Sequence, residues 1–493
     1  MGSSPHAIPE LIYLPRGRVL GDDFALPRAE YFIVLPALLA LVGLSSWLLS
    51  DDLGFVFSSV VGAIVGFYTL WGWLFRKQPT RFSTLLAMAL LLGYGGGAVN
   101  TLLTLPRSSL TMSTVMGFDN GVLSRGIGAV LLSAAVLFFV GEIYEKPIFG
   151  RDFRFVVDGK TRTLVCLGAV AMVGGYATHL LLFQGPNSAG GHLNPAGAFL
   201  QWFYGPVTAI AVTTFLMTPR GKAKLFCGAA AMILILLFAI VGRRNAAYTA
   251  IDVLLMIEIS GYQWRGSRVR KALIVVGLGA VVVVGSLAFM LLRIAARNSS
   301  HPRRVTVTQQ IKVASKMVQS GGAVALAGTS TQQNLQKRTF VLGFFANVLD
   351  GSMTKTPALG LDAVQQIQLA IPRIIYSDKD TSVSEENLDD RLFGFGYRDE
   401  ANSILTAGAT DFGLIGVLIY PLMIVGFYRF VFEVLTKFLG LVPMMFIALS
   451  SILVMIATEM PLTGYLETLR VLPFFGLAIA LFMALPVITL RNE

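Results

Sequence analysis

The chain has 493 residues, of which 55% are hydrophobic and 14% charged, with a formal net charge of +11 and a mean hydropathy of +0.69. A soluble chain of this length would carry roughly a quarter charged residues, so a water-soluble globular class is excluded. The basic excess would suit a nucleic acid, but membrane loops rich in Lys and Arg account for it, and no nucleic-acid partner is expected.

The first thirty residues set Arg16, Arg18 and Arg28 among acids and prolines with no short apolar core. This predicts an uncleaved N-terminal segment over 1–30, on the cytoplasmic side. Apolar runs near the length that crosses a bilayer core then follow one another. They predict about twelve membrane helices, near 31–49, 53–75, 83–105, 122–144, 163–184, 197–217, 225–242, 246–262, 272–293, 403–428, 439–457 and 471–489. The eighth is interrupted by Asp252 and Glu258. The expected fold class is an all-α polytopic membrane protein. Helices 1–9 occupy 31–293, a large and partly helical loop occupies 294–401, and helices 10–12 occupy 402–490.

Within these spans, Gly93-Tyr94-Gly95-Gly96-Gly97 reads as a close helix-packing surface, since no strand precedes it to make a phosphate loop. Cys166 and Cys227 read as small apolar residues and imply no disulfide framework. His179 reads as a packing residue. Gly191-His192-Leu193-Asn194-Pro195-Ala196 looks like a half-helix of a water channel. A channel needs a second Asn-Pro-Ala, and this chain has none. A plain turn capping the sixth span fits better.

With the N-terminus inside, the cytoplasmic segments collect clusters such as Arg76, Lys77 and Arg81, or Arg265, Arg268, Arg270 and Lys271. The short outer loops and helix ends hold only Arg107, Arg125, Arg243, Arg244 and Arg470. This bias predicts both termini in the cytoplasm and the long loop outside, in the periplasm of a bacterium. It also isolates Gly242-Arg243-Arg244-Asn245. Two adjacent arginines in a short outer turn either snorkel to headgroups or form an anion site, and the Arg fork suits phosphate oxygens.

The long loop has helical patterning. Gln333 to Leu349 carries Lys337 and Arg338 and then Phe340, Phe344 and Phe345, which predicts a helix lying on the outer membrane interface. Leu361 to Ala370 is a further helix, ended by Pro372 and Arg373. The acids Glu385, Glu386, Asp389 and Asp390 read as a solvated face. Asp399 and Glu400 sit where the chain re-enters the membrane, and desolvation there would raise a carboxylate toward general-base use. Asp411 lies about three turns further if the helix is continuous, as an intramembrane acid in want of a partner. Asp378-Lys379-Asp380 reads as a solvated turn rather than a cation site. No metal or cofactor is expected.

Three segments together resemble the Wzy-type polysaccharide polymerases of the O-antigen ligase and polymerase superfamily. They are Gly242-Arg243-Arg244-Asn245-Ala246-Ala247, then Arg338 with Ile371-Pro372-Arg373 and Lys379, then Glu400-Ala401-Asn402-Ser403 through Asp411-Phe412-Gly413. The resemblance covers roughly 225–430. It implies a GT-C-like helical enzyme of the bacterial inner membrane that polymerises oligosaccharide repeat units, carried on undecaprenyl pyrophosphate, into an exopolysaccharide or O-antigen. Donor and acceptor are both lipid-linked, and a chain-length regulator and a flippase are implied partners beside the bilayer itself. Arg243, Arg244, Arg338, Arg373 and Lys379 would hold the pyrophosphate, with Arg244 also acting in catalysis, and Glu400 or Asp399 would be the base. The ligase branch commonly has a His before the Asn of the last motif, where this chain has Ala401. An O-antigen-ligase-type transferase is therefore the secondary enzymatic reading. A flippase or transporter of lipid-linked oligosaccharides is the alternative from another class, although the halves show no internal repeat.

Overall fold

The computed structural model describes residues 33–75, 80–104, 119–145, 147–148, 157, 159–177, 195–219, 221–241, 339–371, 385–394, 402–438 and 457–484, with isolated helical residues near 250–319 and 446–454. Among the described residues all regular structure is helical. Four helices are long and apolar enough to cross a membrane: Asp52–Leu74, Phe82–Asn100, Gly121–Tyr144 and Ile404–Thr436. These helices mark the chain as a membrane protein.

The first helices are α1 (Leu35–Leu49), α2 (Asp52–Phe75), α3 (Phe82–Leu90), a π-helical stretch (Leu91–Gly96), α4 (Gly97–Thr104) and α5 (Asn120–Tyr144). Each coincides with an apolar run seen in the sequence. Ser50 adopts a left-handed conformation and ends α1. Asp51 Oδ1 then accepts the Gly54 N–H at 2.6 Å and starts α2. At the far end of α5, the Glu145 carboxylate accepts the N–H groups of Phe82 and Ser83 at 2.7 and 3.0 Å. These are orphan donors of the first turn of α3, so α5 caps α3. Arg81 closes the junction, donating to the Glu145 carbonyl at 2.9 Å and pairing with Glu142.

These contacts sort the helix ends. The α1–α2 turn lies beside the start of α5, where Ser46 and Ser124 hydroxyls meet at 3.0 Å. The opposite end holds Arg81, Glu145 and Arg429, whose guanidinium donates to the Pro147 carbonyl at 3.2 Å. Arg81 and Arg429 therefore lie at one end of the helices, both bonded to the segment that follows α5.

Next come α6 (Gly159–Ala177), α7 (Pro195–Met217) and α8 (Lys222–Val241), which pack on one another. Most of the predicted spans at 246–262, 272–293 and 439–457 lies outside the described residues.

The long loop supplies α9 (Thr339–Thr354), α10 (Leu361–Ala370) and α11 (Glu385–Phe393). Its first helix does not lie on a membrane surface, contrary to the sequence expectation. Leu342, Phe344, Phe345, Ala346, Val348 and Leu349 are all nearly inaccessible, packed against α5 and the helix that begins at Ile404. The reason is visible in the sequence once the structure is known. Apolar and small residues surround this helix on every side, and such a helix is stable only when enclosed. Its later half lies beside the start of α5: Arg125 pairs with Asp350 at 2.5 Å, and the Phe345 ring lies tilted 5.6 Å from that of Tyr94.

The last described elements are α12 (Ile404–Phe438), a 3-10 turn (Ala457–Glu459) and α13 (Leu462–Ala484). α12 is not one continuous helix. Phe412 and Gly413 leave helical geometry, and Gly413 has φ 58. Gly408 and Gly416 lie in backbone contact. In a straight helix they would be about 12 Å apart. The chain therefore reverses at 412–413, with 404–411 folded against 414–438. The second arm alone, at 1.5 Å per residue, is long enough to cross a bilayer.

Candidate functional site

The hairpin at 412–413 organises a buried polar column. A break in a helix leaves carbonyl groups without their usual donors. Here the Thr410 and Asp411 carbonyls accept the N–H groups of Ala358 and Leu359 at 2.8 and 2.9 Å, from the turn between α9 and α10. The Asp411 side chain does the same work for α10. Its Oδ1 accepts the Gly360 and Asp362 N–H groups at 3.0 and 2.9 Å, and its Oδ2 accepts the Ala363 N–H at 3.0 Å and the Tyr420 hydroxyl at 2.5 Å. The intramembrane acid singled out in the sequence thus has backbone and phenol donors as partners. It clasps the loop to the hairpin.

α10 turns Asp362 and Gln366 inward, and both are almost inaccessible. Gln366 donates to Asp362 Oδ1 at 3.0 Å and accepts from Thr463 of α13. Asp362 Oδ2 has no hydrogen-bond partner among the described residues. Burial raises the Asp362 carboxyl above the ordinary carboxylate range; the Gln366 hydrogen bond opposes this and the nearby Asp411 charge adds to it. The folded chain therefore holds this proton to higher pH than the unfolded chain does, so stability falls as pH rises from the ordinary carboxylate range upward. Asp362→Asn is expected to remove this slope. Thermal midpoints of purified protein across this range test it, and parallel curves for the two proteins would contradict the assignment.

At the deeper end, Ser403 starts α12 and its Oγ accepts the Thr406 N–H at 3.1 Å, a helix cap. The same oxygen accepts the Tyr94 hydroxyl at 2.8 Å. Tyr94 stands in the π-helical stretch, an irregularity that recurs at functional sites. The glycines beside it divide. Gly95 faces the backbone of Gly62 and Ala63 on α2, as a packing surface requires, while Gly96 and Gly97 face open space.

α11 corrects the reading of its acids as a solvated face. Asp390 is exposed, but Glu385 and Asp389, one turn apart, are buried. Asp389 Oδ1 accepts from Thr410 at 2.6 Å, and Glu385 lies close enough to Tyr94 and Tyr420 to act on both electrostatically. The signal was available: Glu385, Leu388, Asp389 and Phe393 fall on one helical stripe, and all four are buried.

The column therefore joins five chain segments: the π-helical stretch, α10, α11, the α12 hairpin and the start of α13. Its buried side-chain oxygens without a partner among the described residues include the amide oxygens of Gln365 and Asn402, which accept, and the Asp362 carboxyl and Tyr465 hydroxyl, which can donate or accept. Such a lining suits a ligand whose groups do both, as a hydroxyl-rich molecule does. Among the described residues no three His, Cys, Asp or Glu side chains converge as a metal site does.

The residues that the sequence placed in the site, Glu400, Asp399, Arg243, Arg244, Arg338, Arg373 and Lys379, lie outside the described residues, as do Asp252, His179 and Asp378-Lys379-Asp380. The described column begins two residues after Glu400, at Asn402. No protein-family model matches this chain, and no curated protein or solved structure compared with it matches either.

Proposed function

We propose that the protein is a glycosyltransferase that polymerises lipid-pyrophosphate-linked oligosaccharide repeat units at the membrane face where the long loop enters, taken as the periplasmic face of a bacterial inner membrane. The observation that carries this reading is the buried polar column, built where the chain re-enters the bundle. Long loops inside a compact fold tend to serve function. This one does not stand apart from the helices: α9 packs on α5 and α12, α10 packs on α12 and α13, and with α11 they bring Asp362, Gln366, Glu385 and Asp389 to the re-entry segment. Acids and amides that accept hydrogen bonds are what a sugar needs from its site. The order of the Arg-Arg turn, the loop arginines and the Glu400-Ala401-Asn402-Ser403 segment supplies the rest of the argument.

In this reaction a hydroxyl oxygen of one repeat unit attacks the anomeric carbon of the growing chain. The bond from that carbon to the pyrophosphate oxygen breaks, and the lipid pyrophosphate leaves with the electron pair. Glu400, or Asp399 beside it, takes the hydroxyl proton. Arg243, Arg244, Arg338 and Arg373, with Lys379, stabilise the charge gathering on the leaving group. Arginine forks serve in place of a divalent ion, so transfer is expected to persist in chelator.

The test is the glycan profile of a deletion strain complemented with wild type, Arg244→Ala or Glu400→Ala. The variants are expected to accumulate single repeat units on carrier, outside the cytoplasm, with long polymer reduced at least about a hundredfold, the lower range for removing a base or charge stabiliser. Normal polymer in both variants would remove the basis of the proposal. Repeat units trapped on the cytoplasmic side would turn it into transport.

A further inference from the structure

α10 is built the opposite way round from a helix that faces water. Its exposed residues are Leu361, Val364 and Ile367, at 45%, 51% and 49%, while Asp362 and Gln366 are turned inward. α11, from the same loop, also buries acids, Glu385 and Asp389, but its outer face is polar: it exposes Asn387, Asp390 and Arg391 and buries Leu388 and Phe393. One loop thus holds one helix with a polar outer face and one with an apolar outer face.

The apolar stripe continues beyond α10. A side chain at Gly360 would touch the Phe412 ring at 3.6 Å, and Phe412 is itself exposed. From there Ile415 and Ile419 carry the stripe down the second arm of α12, which is long enough to cross a membrane. At the upper edge Leu359 is 69% exposed and held at φ 54, a conformation that costs a bulky residue energy. Turns that face water usually place Gly or Asn there. The stripe bears no charge, and the polar flanks Gln365 and Gln368 are only partly exposed. A protein partner in water would meet a more polar rim than this.

We propose that α10 is embedded in the hydrocarbon of the bilayer, and that Leu361, Val364 and Ile367 form, with Phe412, Ile415 and Ile419, a continuous wall for lipid acyl chains. A part of the loop that the sequence assigned to water then belongs to the membrane. It brings leaflet lipid to within one helix thickness, about 10 Å, of the polar column. The inference stands apart from the glycosyl-transfer reading, because it concerns what surrounds the helix and not what the column does.

The experiment uses the full chain in nanodiscs of phosphatidylethanolamine and phosphatidylglycerol. Single spin labels are placed at Val364→Cys, Ile367→Cys, Ile419→Cys and Asp390→Cys, each with Cys166→Ala and Cys227→Ala. Collision rates with oxygen, which concentrates in hydrocarbon, are compared with those of a water-soluble nickel chelate. The oxygen-to-nickel ratio is expected to be several-fold higher at 364 and 367 than at 390, and to match 419. Ratios at 364 and 367 equal to that at 390 would overturn the proposal. So would exclusion of both reagents from 364 and 367, which would mean that a second copy or another protein covers α10.

Discussion

Asp411→Ala is expected to cost about 4 kcal/mol of stability, because buried donors left without an acceptor each cost about 1–3 kcal/mol. The Asp411 carboxylate accepts three N–H groups from the start of α10 and the Tyr420 hydroxyl, and it is fully inaccessible. With its oxygens gone, α10 has no cap from Gly360, whose own conformation is left-handed and which has no side chain to offer. Asp411→Asn keeps one acceptor oxygen and the volume, so it should fall between wild type and Ala. Tyr420→Phe removes one donor and leaves the carboxylate its three others, so its cost should be about 1–2 kcal/mol. Thermal unfolding of the purified protein in one detergent ranks the three. An Asp411→Ala midpoint equal to wild type would mean that the clasp holds nothing.

Gly416→Leu is expected to open the α12 hairpin, with a loss of about 3 kcal/mol or more, at or above the usual range for overpacking. A side chain at Gly416 would run into the backbone of Gly408, and one at Gly408 into the backbone of Gly416. Backbone cannot step aside as a side-chain tip can, so the arms themselves must part. Parting them would pull Thr410 from Asp389 and the Thr410 and Asp411 carbonyls from Ala358 and Leu359. Gly426→Ala, in the same helix, is the control. Nothing lies within 4 Å of a Cβ there. Removing a helical glycine should raise stability by about 0.5–1 kcal/mol. If Gly416→Leu unfolds at the same temperature as Gly426→Ala, the chain does not reverse at Phe412–Gly413.

Both predictions concern one place, where the sequence leaves open whether the helix is continuous. The stretch from Ile404 to Phe438 is apolar enough to pass for a single helix, and Asp411 then looks like an acid stranded in a membrane span. Gly408, Gly413 and Gly416 are visible in the sequence. Glycine spacing alone does not tell a helix-packing stripe from a hairpin. What distinguishes them is the partner that takes up the freed carbonyls, here a turn some fifty residues earlier in the chain. No local pattern reports that.

The sequence by itself determined the class of molecule and the position of most described helices. Those follow from the length of an apolar run against the thickness of a bilayer and from the residues that end it, which are local quantities. It also singled out the re-entry segment, since Asp399, Glu400 and Asn402 stand at an abrupt change of polarity. Only the tertiary structure decided that α9 is enclosed by helices, that Glu385 and Asp389 face inward, that α10 shows its apolar side to the outside, and that α12 doubles back. Each of these depends on what the rest of the chain places beside the helix. An amphipathic helix has the same pattern whether its apolar face meets a core or a lipid. The inward direction is settled by the oxygens of Asp411 and the amide of Gln366, held by donors that only folding brings near.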